Sequence, residues 1–165
     1  MTFTIREVLE RVSGLLDGAD GLRDSLEQLR DAYALREEHA WPPGVAVLKA
    51  GTEYVEKSLG SRYPSVLVYC EKIHSRPTER FRRFSGELSV GVEVRVSQDR
   101  LEGITDRLHY YSDAVRDVLE RGRGCIGEGL YLSGETTVHI DPVKRGGIQY
   151  VQSSRTVCTV LVNRD

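Results

Sequence analysis

Apolar residues recur at helical spacing at the start of the chain: Ile5, Val8, Leu9, Val12, Leu15 and Leu16. The segment opens on Thr4-Ile5-Arg6-Glu7, a capping-box order in which hydroxyl and carboxylate satisfy backbone donors at a helix start. Asp17-Gly18-Ala19-Asp20-Gly21 breaks the pattern. Leu22, Leu26, Leu29 and Tyr33 then repeat at steps of four, three and four among mostly charged residues, which predicts a second helix with a narrow apolar seam. The helical part is read over residues 4–37. Trp41-Pro42-Pro43-Gly44 closes it, because consecutive prolines remove two backbone donors and force an extended path.

Beyond the prolines the period changes from helical to alternating. Val45-Ala46-Val47-Leu48 is a short apolar run, and Thr52–Lys57 fits neither period. Ser65–His74 reads as a central strand, with Val66, Val68 and Cys70 on one side and Leu67 and Tyr69 on the other. From Phe84 to Ser97 the alternation is almost unbroken: Phe84, Gly86, Leu88, Val90, Val92, Val94 and Val96 against Ser85, Glu87, Ser89, Glu93 and Arg95. The two strands predict a hairpin with a long basic tip. Asp99, with Glu102 reaching back, is the expected cap of a helix whose apolar face is Leu101, Ile104, Leu108, Tyr111, Val115, Val118 and Leu119. Gly122 and Gly124 end it. Strands over Leu130–Ile140 and Ile148–Val162 follow, joined through Asp141–Gly147. The order strand, strand, helix, strand, strand predicts an α+β fold: a mainly antiparallel sheet covered by a helix and preceded by a two-helix arm.

Length and charge divide this picture in two. At 165 residues the chain suits one domain with an extension, taken as an arm and linker over 1–43 and a body over 44–165. The net charge is only −2, yet residues 1–40 hold five basic and nine acidic side chains, a balance of −4 that leaves +2 for the rest. Near-neutrality argues against a generic polyanion binder. Three cysteines, Cys70, Cys125 and Cys158, are widely spaced and odd in number, which fits a reducing compartment. The N-terminus lacks a signal-peptide pattern and no run approaches a membrane span, so a soluble, uncleaved chain with no membrane partner is expected.

Candidate chemistry is sparse. Gly122-Arg123-Gly124-Cys125-Ile126-Gly127 matches G-x-G-x-x-G, but a dinucleotide site needs those glycines after a strand and before a helix, and here the order is reversed. His39, His74, His109 and His139 are scattered, and His139 with Asp141 makes only a partial metal site. Cys125 lies beside Arg121 and Arg123, neighbours that would activate a thiol, without a base or an oxyanion site in view. No catalytic, cofactor or metal residues are therefore expected, and no enzyme. The assembly candidates are the basic tip residues Arg76, Arg80, Arg82 and Arg83, the turn residues Lys144 and Arg145, and the seam Leu22, Leu26, Leu29 and Tyr33. The basic loops suit acidic protein surfaces, the acidic arm among them. The seam suits either the sheet of its own chain or a groove on another subunit.

Several of these features occur together in a known family. Tyr63-Pro64-Ser65-Val66 leads into a strand; a hairpin reaches Phe84-Ser85-Gly86 and the strand ending Val94-Arg95-Val96; a helix contains Tyr110-Tyr111-Ser112-Asp113-Ala114-Val115; and Lys144-Arg145-Gly146-Gly147 precedes Tyr150-Val151-Gln152. Over residues 64–162 this resembles the tail terminator, or tail completion, proteins of tailed bacteriophages and related tail-like particles. The resemblance implies a structural virion protein, in host cytoplasm during assembly and then in the tail or neck. It forms a homo-oligomeric ring, usually a hexamer, on the end of the tail tube, ends tube growth, joins the head connector and lets DNA pass through its lumen. The two-helix arm is outside the family pattern. Two alternatives stand beside this reading: a head-tail connector or neck protein, and a small enzyme or ligand-binding domain using Cys125 or the His139–Asp141 pair.

Overall fold

The computed structural model of the chain describes residues 4–34, 46–49, 63–76 and 84–164. Two helices come first, α1 (Ile5–Asp17) and α2 (Leu22–Tyr33). Thr4 caps α1, its hydroxyl accepting from the Glu7 amide at 3.2 Å. The second helix stops short of residue 37, because Ala34 turns left-handed (φ 42°) and donates its amide to the Arg30 carbonyl at 3.2 Å. The Trp41–Gly44 boundary, Val45, Thr52–Lys57 and the tip residues 77–83 lie outside the described residues.

Strands β1 (Ala46–Lys49), β2 (Ser65–Ser75) and β3 (Phe84–Gln98) follow, then helix α3 (Ile104–Arg121). The chain ends with β4 (Gly124–Gly127), β5 (Leu130–Ile140), β6 (Lys144–Gly146) and β7 (Gln149–Arg164). They build one sheet in the order β1-β2-β3-β7-β5-β4, with β6 paired to β7. The β1–β2 pair is parallel and the remaining pairs are antiparallel, so the fold is α+β, as the pattern indicates.

All three helices lie on one face of the sheet. The third crosses β3, β7 and β5; the first lies against β1 and β2; the second packs on the third. Leu88, Val90, Val92, Val94 and Val96, the apolar row of β3, are buried beneath them, as are Val8, Val12, Leu16, Leu22 and Leu26 from the first two helices. The helices and the body therefore share one core. On β2, Val66 and Val68 join that core while Leu67 and Tyr69 are buried on the opposite face.

Three local readings are corrected. Asp99 does not cap α3: the Gln98 side-chain amide donates to the Arg100 and Glu102 carbonyls at 2.7 Å each, tying the chain into a loop, and the helix starts only after Gly103. Gly103 has φ 79°, a left-handed conformation no helix interior holds. Leu101, left in that loop, is 56 % exposed instead of joining the apolar face. The glycine-rich stretch after α3 is also not only a connection, since Gly124–Gly127 pairs with β5 as an edge strand. Lys144–Gly146, read as part of a turn, is the short strand β6 against Gln149–Val151.

One end of the core is polar. Along β7 the helix-facing positions run Gln152, Ser154, Thr156, then Cys158, Val160, Val162, all buried. Across the polar half, the Ser112 and Ser154 hydroxyls meet at 2.5 Å, and Thr105 donates to Gln152 at 3.1 Å. The Gln152 amide donates in turn to the Asp141 carbonyl at 2.9 Å.

Candidate assembly surfaces

The basic candidates sit at opposite ends of the sheet. Arg76 is exposed just past β2, its amide donating to the Ser85 carbonyl at 2.7 Å and its guanidinium 3.7 Å from Glu87. Arg80, Arg82 and Arg83 lie outside the described residues. Lys144 and Arg145 are exposed on β6, opposite Val151 and Tyr150. Because β3 pairs with β7 from Phe84↔Arg164 to Gln98↔Tyr150, the two basic positions are separated by nearly the whole length of β7. The stretch of β7 between those levels, Val151 to Asn163, spans about 40 Å.

The seam of α2 is spent inside the chain. Leu22 and Leu26 are buried, and Leu29 and Tyr33 pack against the same core, which leaves the two buried leucines no surface for a neighbouring subunit. Polar contacts fasten the helix to α3. The Ser25 hydroxyl donates to Asp117 at 2.6 Å, Tyr33 donates to Asp113, and Tyr110 donates to the Leu26 carbonyl. Arg121 reaches Asp24 at 3.3 Å and Asp117 at 3.0 Å. Burial, then the Asp113 carboxylate, pushes the Tyr33 phenol up to about 12.

The chemical candidates stay apart. Cys125 is exposed on β4, 3.3 Å from the Gly127 carbonyl, while Arg121 is held by the two carboxylates just named. His139 stands opposite Arg155 on β7, and Asp141 accepts from the Ser153 hydroxyl at 2.8 Å. His74 is opposite Glu87. His109 is half-buried on α3, and His39 lies outside the described residues. No group of three or more potential metal ligands occurs among the described residues. A shallow cleft of about 710 Å³ opens between α3 and β5, lined by Arg116, Glu120 and residues 134–138.

The helix-free face carries a charge lattice that periodicity did not single out. Arg95 meets Glu93 at 2.6 Å with both side chains nearly buried, and Arg155 meets Glu71 at 3.2 Å. The Tyr69 hydroxyl lies 3.5 Å from Glu93, over Gly91. Burial, then Glu93 and Glu71, raises the Tyr69 phenol to about 12, against a lowering pull from Arg155. The signal available in the sequence was Glu93 and Arg95, opposite charges two residues apart on one face; Glu71 and Arg155 reach them only through strand pairing.

Each face is thus different in kind. One is covered by helices, the other is a patterned polar sheet, and the sheet ends in two short edge strands, β1 and β4. Among the described residues no helix is long and apolar enough to cross a membrane. Comparison with protein-family models and with curated proteins finds no match.

Proposed function

We propose that this chain is a structural virion subunit of the tail-terminator type. It assembles as a ring that caps the tail tube, stops tube growth and presents its other side to the head connector, with DNA passing through the lumen. The observation that carries this reading is the placement of the basic residues. With strands running roughly along the ring axis, Arg76 faces one side of the ring and Lys144 and Arg145 face the other, about 40 Å of β7 apart. Lys144 and Arg145 then offer ammonium and guanidinium groups to an acidic protein rim on their side, while Arg76 marks the opposite end. The motifs over residues 64–162 and the order of elements in the body support the same reading. A subunit with a net charge of −2 also suits a conduit that passes DNA without holding it tightly.

Native mass measurement and negative-stain imaging, on the protein alone and beside tail tubes, test the proposal. Rings with an open centre and capped tube ends are the expected result. A strict monomer at high concentration, with bare tube ends, overturns it. Retention of a portal complex instead of tube protein in a pull-down would move the assignment to a neck component. A Cys125→Ser variant should keep every assembly activity; its loss would revive a ligand-binding reading.

A further inference from the structure

We propose that the ring is closed by strand addition between copies of this chain: the outer edge of β5, residues 136–140, takes the outer edge of β2, residues 71–75, of the next copy. This rests on the ring-forming reading above and names the surface that would make the ring. Among the described residues, β4 pairs with β5 only as far as Leu132, and β1 pairs with β2 only as far as Val68. Beyond those points each strand is paired, among the described residues, on one side only, which leaves an outer side. A strand's outer side is a row of backbone donors and acceptors that natural proteins blunt with lysine, proline or a bulge. Thr136-Thr137-Val138-His139-Ile140 carries neither lysine nor proline and is rich in branched side chains suited to pairing; the β2 edge does carry Lys72 and a bulge after Cys70, so the inference rests on the β5 edge, strand direction and register.

Strand direction favours this partner. Antiparallel pairing from β2 to β3, β3 to β7 and β7 to β5 makes β2 and β5 run oppositely. Copies related by rotation about an axis to which the strands are inclined keep their opposed directions, so the edges meet antiparallel, and the inclination takes up the stagger between Val138, level with Thr156, and Ile73, level with Val160. Such a head-to-tail contact generates rings.

One register satisfies the side chains. A bulge between Cys70 and Lys72 puts Ile73 opposite Leu88, on the helix side of the sheet, where it is 40 % exposed. Val138, half-buried, is opposite Thr156 on the same side. Setting Val138 against the next copy's Ile73 joins two aliphatic side chains on one face, and the cleft between α3 and β5 leaves room beside them. The same register brings exposed Glu135 opposite exposed Arg76. Lys72 then stands opposite His139. A symmetric β5 to β5 pairing centred on Val138 would instead set Glu135 against Asp141 twice, a like-charge cost that the β2 partner avoids.

Charge reversal at the two exposed positions tests the inference. Glu135→Arg and Arg76→Glu should each raise the concentration needed for assembly by about fivefold per contact, read by sedimentation. Mixed in equal amounts, or combined in one chain, they should restore it, because every junction again pairs opposite charges. The Arg76 contact with Glu87 is exposed and its loss costs little. As a second measurement, Ile73→Cys with Val138→Cys in a Cys125→Ser background should give, on oxidation, a ladder of covalent multimers. Rings that ignore both reversals and form no such ladder would overturn the edge pairing while leaving the ring reading intact. A wild-type chain that stays monomeric at high concentration would overturn both.

Discussion

Gly86 and Gly91 show how closely the long strands approach their neighbours. A Cβ on Gly86 would sit 2.2 Å from the His74 carbonyl oxygen, a backbone atom that cannot step aside. Gly86→Ala is therefore expected to part β2 from β3 at their tip and lower stability by about 1–3 kcal/mol, measured by urea unfolding. On Gly91 a Cβ would meet the Tyr69 ring at 2.8 Å. Tyr69 itself reports alkaline stress. Its phenol is raised from 10.0 to about 12, so the unfolded chain loses that proton first, and stability present below pH 10 is lost as pH rises through 12. Burial also raises Tyr111 and takes the Cys158 thiol from 9.0 to about 12, which starts the decline near pH 9. Tyr69→Phe should make the alkaline loss shallower, followed by tyrosinate absorbance and circular dichroism together.

Among the elements, those with an unbroken period were legible in the sequence. The row Leu88 to Val96 on β3 and the stripe Leu108, Tyr111, Val115, Val118 of α3 are buried where the pattern puts them. What escaped it depends on partners distant in sequence. Gly124–Gly127 becomes a strand only because β5 returns beside it, and the start of α3 moves to Ile104 because Gln98, at the end of a different element, captures the Arg100 and Glu102 carbonyls. The seam of α2 was visible but not its destination. Its burial against α3 makes Leu26→Ala a core truncation, expected to cost about 2–5 kcal/mol in thermal or urea unfolding. Ser25→Ala should cost about 0.5–1.5 kcal/mol, since it removes one hydrogen bond to the half-exposed Asp117, which keeps Arg121 as a donor.

At the scale of the whole molecule, the division into an acidic arm and a basic body describes charge better than packing. Val8, Val12, Leu16, Leu22 and Leu26 lie in the same cluster as the sheet residues, so helices and sheet should unfold in one transition, with coincident far- and near-ultraviolet signals. The polar lattice around Tyr69 was not legible because Glu71, Glu93, Arg95 and Arg155 come from three strands whose register no local pattern encodes.

The polar end of the core has a consequence for motion along a single strand. In β7 the segment around Cys158, Val160 and Val162 is sealed by hydrocarbon, whereas Gln152 and Ser154 lie on hydroxyls and amides. Amide protons in the first stretch should exchange with solvent deuterium only when the whole chain opens. Those near Gln152 should exchange through smaller openings, so one continuous strand would report two protection levels, slow from Cys158 to Val162 and fast toward β6.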